Sequence, residues 1–196
     1  RVAAGISHER TAPLTDRGRG VPDGPTESAY PPSSPTHDSP TVVRHEKKTE
    51  QAHICLGARA ISYLDPDRYA LDILNTVLGE GMSSRLFVEI RERRGLAYTV
   101  AADVSSYVDT GVFEIYAGAT IDKADEALTA VLEELERIRH EPVGERELKK
   151  AKEQLRSSLE LGQESNAAVA DRLSRQLALE GEITSVEDTV RQILAV

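Results

Sequence analysis

Residues 79–98, GEGMSSRLFVEIRERRGLAY, contain the side chains best placed by type and spacing to do chemistry. Gly79 and Gly81 predict a loop that can adopt positive φ, and Ser83 and Ser84 predict a helix cap that accepts hydrogen bonds from the first backbone N–H groups. The helix that follows has an apolar stripe on one side and a charged face on the other. The charged face consists of Arg85, Glu89, Arg91, Glu92, Arg93 and Arg94. The guanidinium groups are hydrogen-bond donors for anionic or carbonyl oxygens.

The helix should end at Gly95, and a strand that carries Tyr98 near its start should follow. Arg91 and Tyr98 are therefore two donors seven residues apart on adjoining elements. Taken alone, this pattern favours a solvated helix arginine that pairs with neighbouring acids. It likewise favours a strand tyrosine with its ring at the rim of the core and its hydroxyl in water.

Other types of catalytic centre have weaker support. No two histidines stand four residues apart, the helical spacing that brings two zinc ligands to one face; the histidines are His8, His37, His45, His53 and His140. His45 and His53 could share one strand face, but solvent-facing or half-buried strand histidines are the favoured interpretation. A metal site within this chain is therefore not expected.

The sequence also gives little support for a nucleophilic catalytic site or a nucleotide-binding site. Cys55 lies in the apolar run HICLGA, which predicts a buried small hydrophobe rather than a nucleophile. The chain has no G-x-S-x-G elbow. The Gly79-x-Gly81 loop lacks the third glycine of a dinucleotide fingerprint and the Gly-Lys-Ser/Thr of a P-loop. We interpret it as a backbone device for the close approach of chains.

The run LNTVLGEGMSSRLFVEIRERRGLAY resembles the C-terminal half of insulinase/pitrilysin-type zinc metallopeptidases, in the branch of mitochondrial processing peptidase and its bacterial relatives. In that family two similar halves surround a chamber. The N-terminal half carries a His-x-x-Glu-His zinc motif, and the C-terminal half binds no metal. The resemblance covers residues 41–196 and is most specific in residues 79–98.

The resemblance implies roles for several residues. Arg91 and Tyr98 match an arginine–tyrosine pair that grips the substrate, with Tyr98 facing the scissile carbonyl and Arg91 the neighbouring peptide backbone. The chamber loop, formed by Gly79, Gly81, Ser83 and Ser84, would help to admit an extended peptide. Zinc is implied for the full-length protein and not for this chain.

The expected function is thus the substrate-binding half of a zinc-dependent endopeptidase, inactive alone. The missing N-terminal half or a homologous subunit would complete the active site, and a dimer is expected. The alternative is a non-catalytic scaffold or partner subunit of the same family. An α+β interaction domain unrelated to peptidases is a third possibility.

Composition limits the class of protein. The 196 residues carry 24 basic and 33 acidic side chains, a net charge of −9, which argues against a nucleic-acid binder. A single cysteine excludes an internal disulfide framework and suits a reducing compartment, so a bacterial cytoplasmic location is expected. No apolar run approaches the roughly 20 residues that span a bilayer. The chain begins at Arg1 and its only methionine is Met82, which predicts a piece of a longer protein.

The order of elements predicts the fold class. Residues 1–40 hold seven of the nine prolines and predict an interdomain linker or tail. The resemblance implies a C-terminal peptidase-like domain over 41–196 that is truncated at its C-terminal end. One or two strands, with Val42 and Val43 early and Ile54, Leu56 and Ala58 alternating later, should precede a helix that starts at Asp65-Pro66 and ends at Gly79. A hairpin over 98–107 and 112–119 should follow, with Phe113, Ile115 and Ala117 on one face. Four further helices should come next: the first has Leu132 in its buried stripe, the third starts after Ser165, and a Thr184–Glu187 capping box opens the last. This pattern indicates an α+β fold, an antiparallel sheet with helices packed on one face.

Overall fold

The computed structural model describes residues 49–196. The predicted linker over 1–40, the early strand residues Val42 and Val43, and His8, His37 and His45 lie outside the described residues.

A three-stranded antiparallel sheet positions the candidate site. Its strands are β1 (Gln51–Ala60), β2 (Ala97–Ser106) and β3 (Gly111–Thr120), in the order β1-β3-β2. The predicted hairpin is confirmed to within one residue at each end. The turn closes with Tyr107 N donating to Thr110 O at 2.8 Å.

Side chains alternate across the sheet as the period of two requires. Ile54 and Leu56 lie opposite Ala117 and Ile115 and face the core. Cys55 points to the other face and is exposed, so the expectation that it is buried is wrong. The apolar run that surrounds Cys55 has only every second side chain in the core.

The helices confirm the α+β class. They are α1 (Arg68–Gly79), α2 (Ala124–His140), α3 (Glu145–Gly162), α4 (Asn166–Leu179) and α5 (Val186–Ala195). A π-helical segment spans Phe87–Arg93, and a 3₁₀ turn, Ile121–Lys123, leads into α2. No helix in residues 49–196 is both long enough and apolar enough to cross a membrane.

Helix starts follow local capping chemistry with small shifts. Asp65 Oδ1 accepts from Asp67 N at 2.9 Å, although the regular hydrogen-bonded helix begins only at Arg68. Ser165 caps α4 by accepting from Ala168 N. The cap of α5 is Ser185, which accepts from Asp188 N, so the capping box predicted at Thr184 lies one residue too early.

Two apolar clusters form the core. One packs α1, the π-helical segment and α2 on the sheet, and the other joins Ile73 and Val77 of α1 to Ala151 of α3 and Ile193 of α5. Leu132 of α2, predicted to be buried, is 51% exposed. The buried face of α2 instead includes Glu134, whose carboxylate accepts from Arg137 Nη1 at 2.6 Å.

Candidate functional site

Gly79 ends α1 where the helix touches the sheet. A Cβ built on Gly79 would lie 2.1 Å from the backbone nitrogen of Ala102 in β2. Any side chain at Gly79 would therefore hold α1 away from β2. The predicted role of the glycine loop, close approach of chains, applies at this residue.

Gly81 and Ser84 shape the turn that starts the next helix. Gly81 has φ +86°, a conformation that glycine adopts without strain. Its carbonyl accepts from the Ser84 hydroxyl at 2.8 Å and from Ser84 N at 3.2 Å. Ser84 is buried, and its hydroxyl donates to the Gly81 carbonyl instead of accepting from a backbone N–H group. The prediction that Ser84 caps the helix as an acceptor is therefore wrong. Ser83 is exposed.

The arginine-rich helix, residues 85–93, is wider than an α-helix over its π-helical part, Phe87–Arg93. Its last turns close with Arg94 N donating to Glu89 O at 3.1 Å, an i→i+5 hydrogen bond, and Leu96 N donating to Ile90 O at 2.8 Å. Sequence periodicity does not distinguish this geometry from an α-helix over seven residues. π-Helical turns occur frequently at functional sites.

Three of the four arginines between residues 85 and 94 are ion-paired. Arg85 makes a bidentate contact to Glu147 at the start of α3, with Nε to Oε1 at 2.8 Å and Nη2 to Oε2 at 2.6 Å. Arg93 and Arg94 both bind Glu89, at 3.1 and 2.9 Å. The hydrogen bond from Arg94, with that from Arg93, holds the pKa of Glu89 below its ordinary value. These pairs fix the outer face of the helix.

Arg91 is arranged differently. It is exposed, and its Cζ lies 4.9 Å from the centre of the Phe87 ring. No carboxylate of residues 49–196 lies within 4.0 Å of its guanidinium nitrogens. Stacking on an aromatic ring orients the guanidinium plane and leaves its N–H groups available to an external acceptor.

Tyr98 occupies an irregularity in the sheet. Ala97 pairs with Ala119 and Thr99 with Gly118, so β2 advances by two residues where β3 advances by one. Tyr98 is the extra residue of this β-bulge, and it is 55% exposed. Bulges redirect side chains and are over-represented beside active sites.

The open face of the sheet adds a pair that the sequence analysis missed. His53 Nδ1 lies 2.7 Å from the Tyr116 hydroxyl, across neighbouring strands. The two residues are 63 apart in sequence, so only the β1–β3 register brings them together. No three His, Cys, Asp or Glu side chains within residues 49–196 are grouped so as to hold a metal ion.

Comparison with known proteins identifies the family. The family model described as the peptidase M16 inactive domain matches residues 2–155. This chain belongs to that family. The resemblance to the non-zinc half of insulinase-type peptidases, drawn from residues 79–98, is thereby confirmed.

Relatives and solved structures agree with this assignment. The chain is 39% identical over 150 residues to an uncharacterized zinc protease of Streptomyces coelicolor, covering 76% of this chain and 33% of that protein. It is 36% identical over 154 residues to an uncharacterized zinc protease of Bacillus subtilis, covering 79% of this chain and 38% of that protein. The crystal structure of a peptidase M16 inactive domain from Pseudomonas fluorescens superposes with a TM-score of 0.69 at 27% identity, over 76% of this chain and 35% of that one.

The chain thus spans between 33% and 38% of the length of these curated relatives. Their names imply zinc for the full-length proteins of the family.

Proposed function

We propose that this chain is the peptide-gripping half of a zinc-dependent endopeptidase, with Arg91 and Tyr98 as its substrate contacts. One observation carries the proposal. On a helix whose other arginines are ion-paired, Arg91 is exposed without a carboxylate partner in the described part of the chain, seven residues before a bulged, exposed tyrosine. Membership of the M16 inactive-domain family supports a role in a peptidase.

The chemistry follows from the two side chains. Hydrolysis of a peptide bond places negative charge on the scissile carbonyl oxygen as the tetrahedral centre forms. A Tyr98 O–H held about 3 Å from that oxygen would stabilise the charge as it grows. The fork of Arg91 would donate to a neighbouring backbone carbonyl and fix the register of an extended peptide.

The catalytic metal would be supplied from outside this chain. A His-x-x-Glu-His half of the same protein, or a homologous subunit, would hold it and supply the Lewis acid. The chamber loop around Gly81 would lie beside the peptide. On its own, this chain is expected to bind no zinc and to hydrolyse no peptide.

Kinetics of the full-length protein test the assignment. With a fluorogenic peptide substrate, Arg91→Ala and Tyr98→Phe should each lower kcat/KM by about tenfold or more, since one removed donor to a developing oxyanion typically costs about 2 kcal/mol or more. The matched controls are Arg93→Ala on the same helix and Tyr107→Phe. Arg93 is ion-paired, and Tyr107 is 56% exposed, close to the 55% of Tyr98. Both controls should stay close to wild type.

The outcomes separate the alternatives. Equal kinetics for the Arg91 and Tyr98 variants and their controls would reject the two residues as substrate contacts. A full-length protein with His-x-x-Glu-His and bound zinc that cleaves no peptide would instead indicate the non-catalytic scaffold subunit.

A further inference from the structure

A cleft of about 280 Å³ opens where α1, β2, α3, α4 and α5 meet. Arg172 and Arg175 line it from α4, Asp72 from α1, and Val104 and Leu159 supply apolar surface. None of the residues proposed above to grip a peptide lines this cleft. Charges of both signs therefore face one small, partly apolar space.

Arg172 lines the cleft without an acidic partner in the described part of the chain. Its Nη1 donates to two neutral acceptors, Gln176 Oε1 and Thr184 O, each at 3.1 Å. Gln176 is itself only 4% exposed. The Nε of Arg172 is buried and has no hydrogen-bond partner among residues 49–196. The described residues therefore leave the guanidinium of Arg172 incompletely hydrogen-bonded, and an anionic group in the cleft would stabilise its charge.

The neighbouring arginines are already compensated. Arg68 pairs with Glu180 at 3.0 Å and is stacked on the rings of Tyr63 and Tyr69. Arg175 pairs with Asp171 at 3.5 Å. Within residues 49–196, Arg172 is the guanidinium lining this cleft that has no carboxylate within 4.0 Å.

Asp72 of α1 is the complementary feature of the same cleft. No cationic nitrogen of residues 49–196 lies within 4.0 Å of its carboxylate. Burial raises the pKa of Asp72 to about 6, against which the more distant Arg68 acts only in part. A bound cation would lower the free energy of the charged carboxylate.

We propose that this cleft binds a free amino acid, with its carboxylate on Arg172 and its ammonium on Asp72. A simple anion in the cleft would compensate Arg172 and leave Asp72 uncompensated, and a simple amine would do the reverse. A small zwitterion compensates both groups, and the apolar walls at Val104 and Leu159 suit an aliphatic side chain. The proposal stands independently of the roles of Arg91 and Tyr98.

Titration calorimetry on the 196-residue chain, with L-leucine as the probe, tests the proposal. L-Leucine should bind, whereas N-acetyl-L-leucine, which lacks the ammonium, and L-leucinamide, which lacks the carboxylate, should each bind at least tenfold more weakly. These ligands probe the wild-type protein and depend on no variant's folding. Absence of leucine binding at millimolar concentration, or equal binding of either blocked compound, would overturn the proposal.

Substitutions locate the site. Asp72→Asn and Arg172→Gln should each weaken leucine binding at least tenfold. The control variants Asp125→Asn and Arg191→Gln remove the same charges from exposed positions outside the cleft and should leave binding unchanged. Equal binding by all four variants would place leucine elsewhere and refute the assignment.

Discussion

The contact between Gly79 and Ala102 makes a sharp stability prediction. In Gly79→Ala, the new methyl carbon would start 2.1 Å from the Ala102 backbone nitrogen, whereas real Cβ contacts are essentially never shorter than 3.0 Å. The end of α1 would have to move from β2 by about 1 Å, because the obstacle is backbone and cannot rotate away. Inserted methyl groups in a packed interior cost about 1–3 kcal/mol, and this site belongs at the upper end.

Because Gly79 lies in a helix, its replacement by alanine can be compared with the same replacement at another helical glycine. Replacing glycine by alanine inside a helix normally stabilises it by about 1 kcal/mol. Gly162, at the end of α3, offers the matched control, since a Cβ there meets nothing within 4 Å. We expect Gly79→Ala to lower the free energy of unfolding by about 2 kcal/mol and Gly162→Ala to leave it unchanged or raise it.

Urea unfolding followed by circular dichroism measures both variants under one set of conditions. The urea midpoint should fall for Gly79→Ala at an unchanged m-value. A Gly79→Ala variant as stable as wild type would show that α1 and β2 do not approach as closely as described.

Two further predictions concern electrostatics. The pKa of Asp72, about 6, lies above the 3.8 of the unfolded chain, so this carboxyl stabilises the fold below about pH 4 and its contribution is lost as the pH rises through about 6. Asp72→Asn should therefore raise the free energy of unfolding by at most about 3 kcal/mol at about pH 8 and have little effect at about pH 4. An equal effect at both pH values would contradict the raised pKa. The bidentate Arg85–Glu147 contact joins the arginine-rich helix to α3. A double-mutant cycle with alanine at both positions should give a coupling free energy of about 1–2 kcal/mol. A coupling free energy near zero would show that the contact does not stabilise the fold.

Sequence reasoning succeeded where neighbours along the chain decide the outcome. The alternation of Phe113, Ile115 and Ala117 predicted the inward face of β3, because a strand's two faces follow from its period of two. Ser165 as a helix start and Gly79 as a helix end likewise depend on local chemistry. The family resemblance came from the same kind of information, a dense local motif over residues 79–98.

The wrong predictions concern side-chain burial and hydrogen bonding, which depend on how separate elements pack and on local backbone conformation. The expectation that Leu132 is buried was wrong, because the packing surface of α2 turns Glu134 inward instead. Cys55 was expected to be buried because the sequence shows an apolar run but not which face of β1 the helices cover. Ser84 was predicted to accept, but the positive φ of Gly81 presents a carbonyl to its hydroxyl.

The amino-acid sequence by itself determined the family, the strand and helix order, and the choice of Arg91 and Tyr98 as candidates. Tertiary structure alone decided that Arg91 lacks an acidic partner within residues 49–196 while Arg85 binds Glu147, 62 residues away. It also decided that Tyr98 is the unpaired residue of a bulge, because the register is set by β3 across the hairpin. Periodicity and capping are properties of neighbouring residues, whereas ion pairing and strand register depend on which distant segments the fold brings into contact.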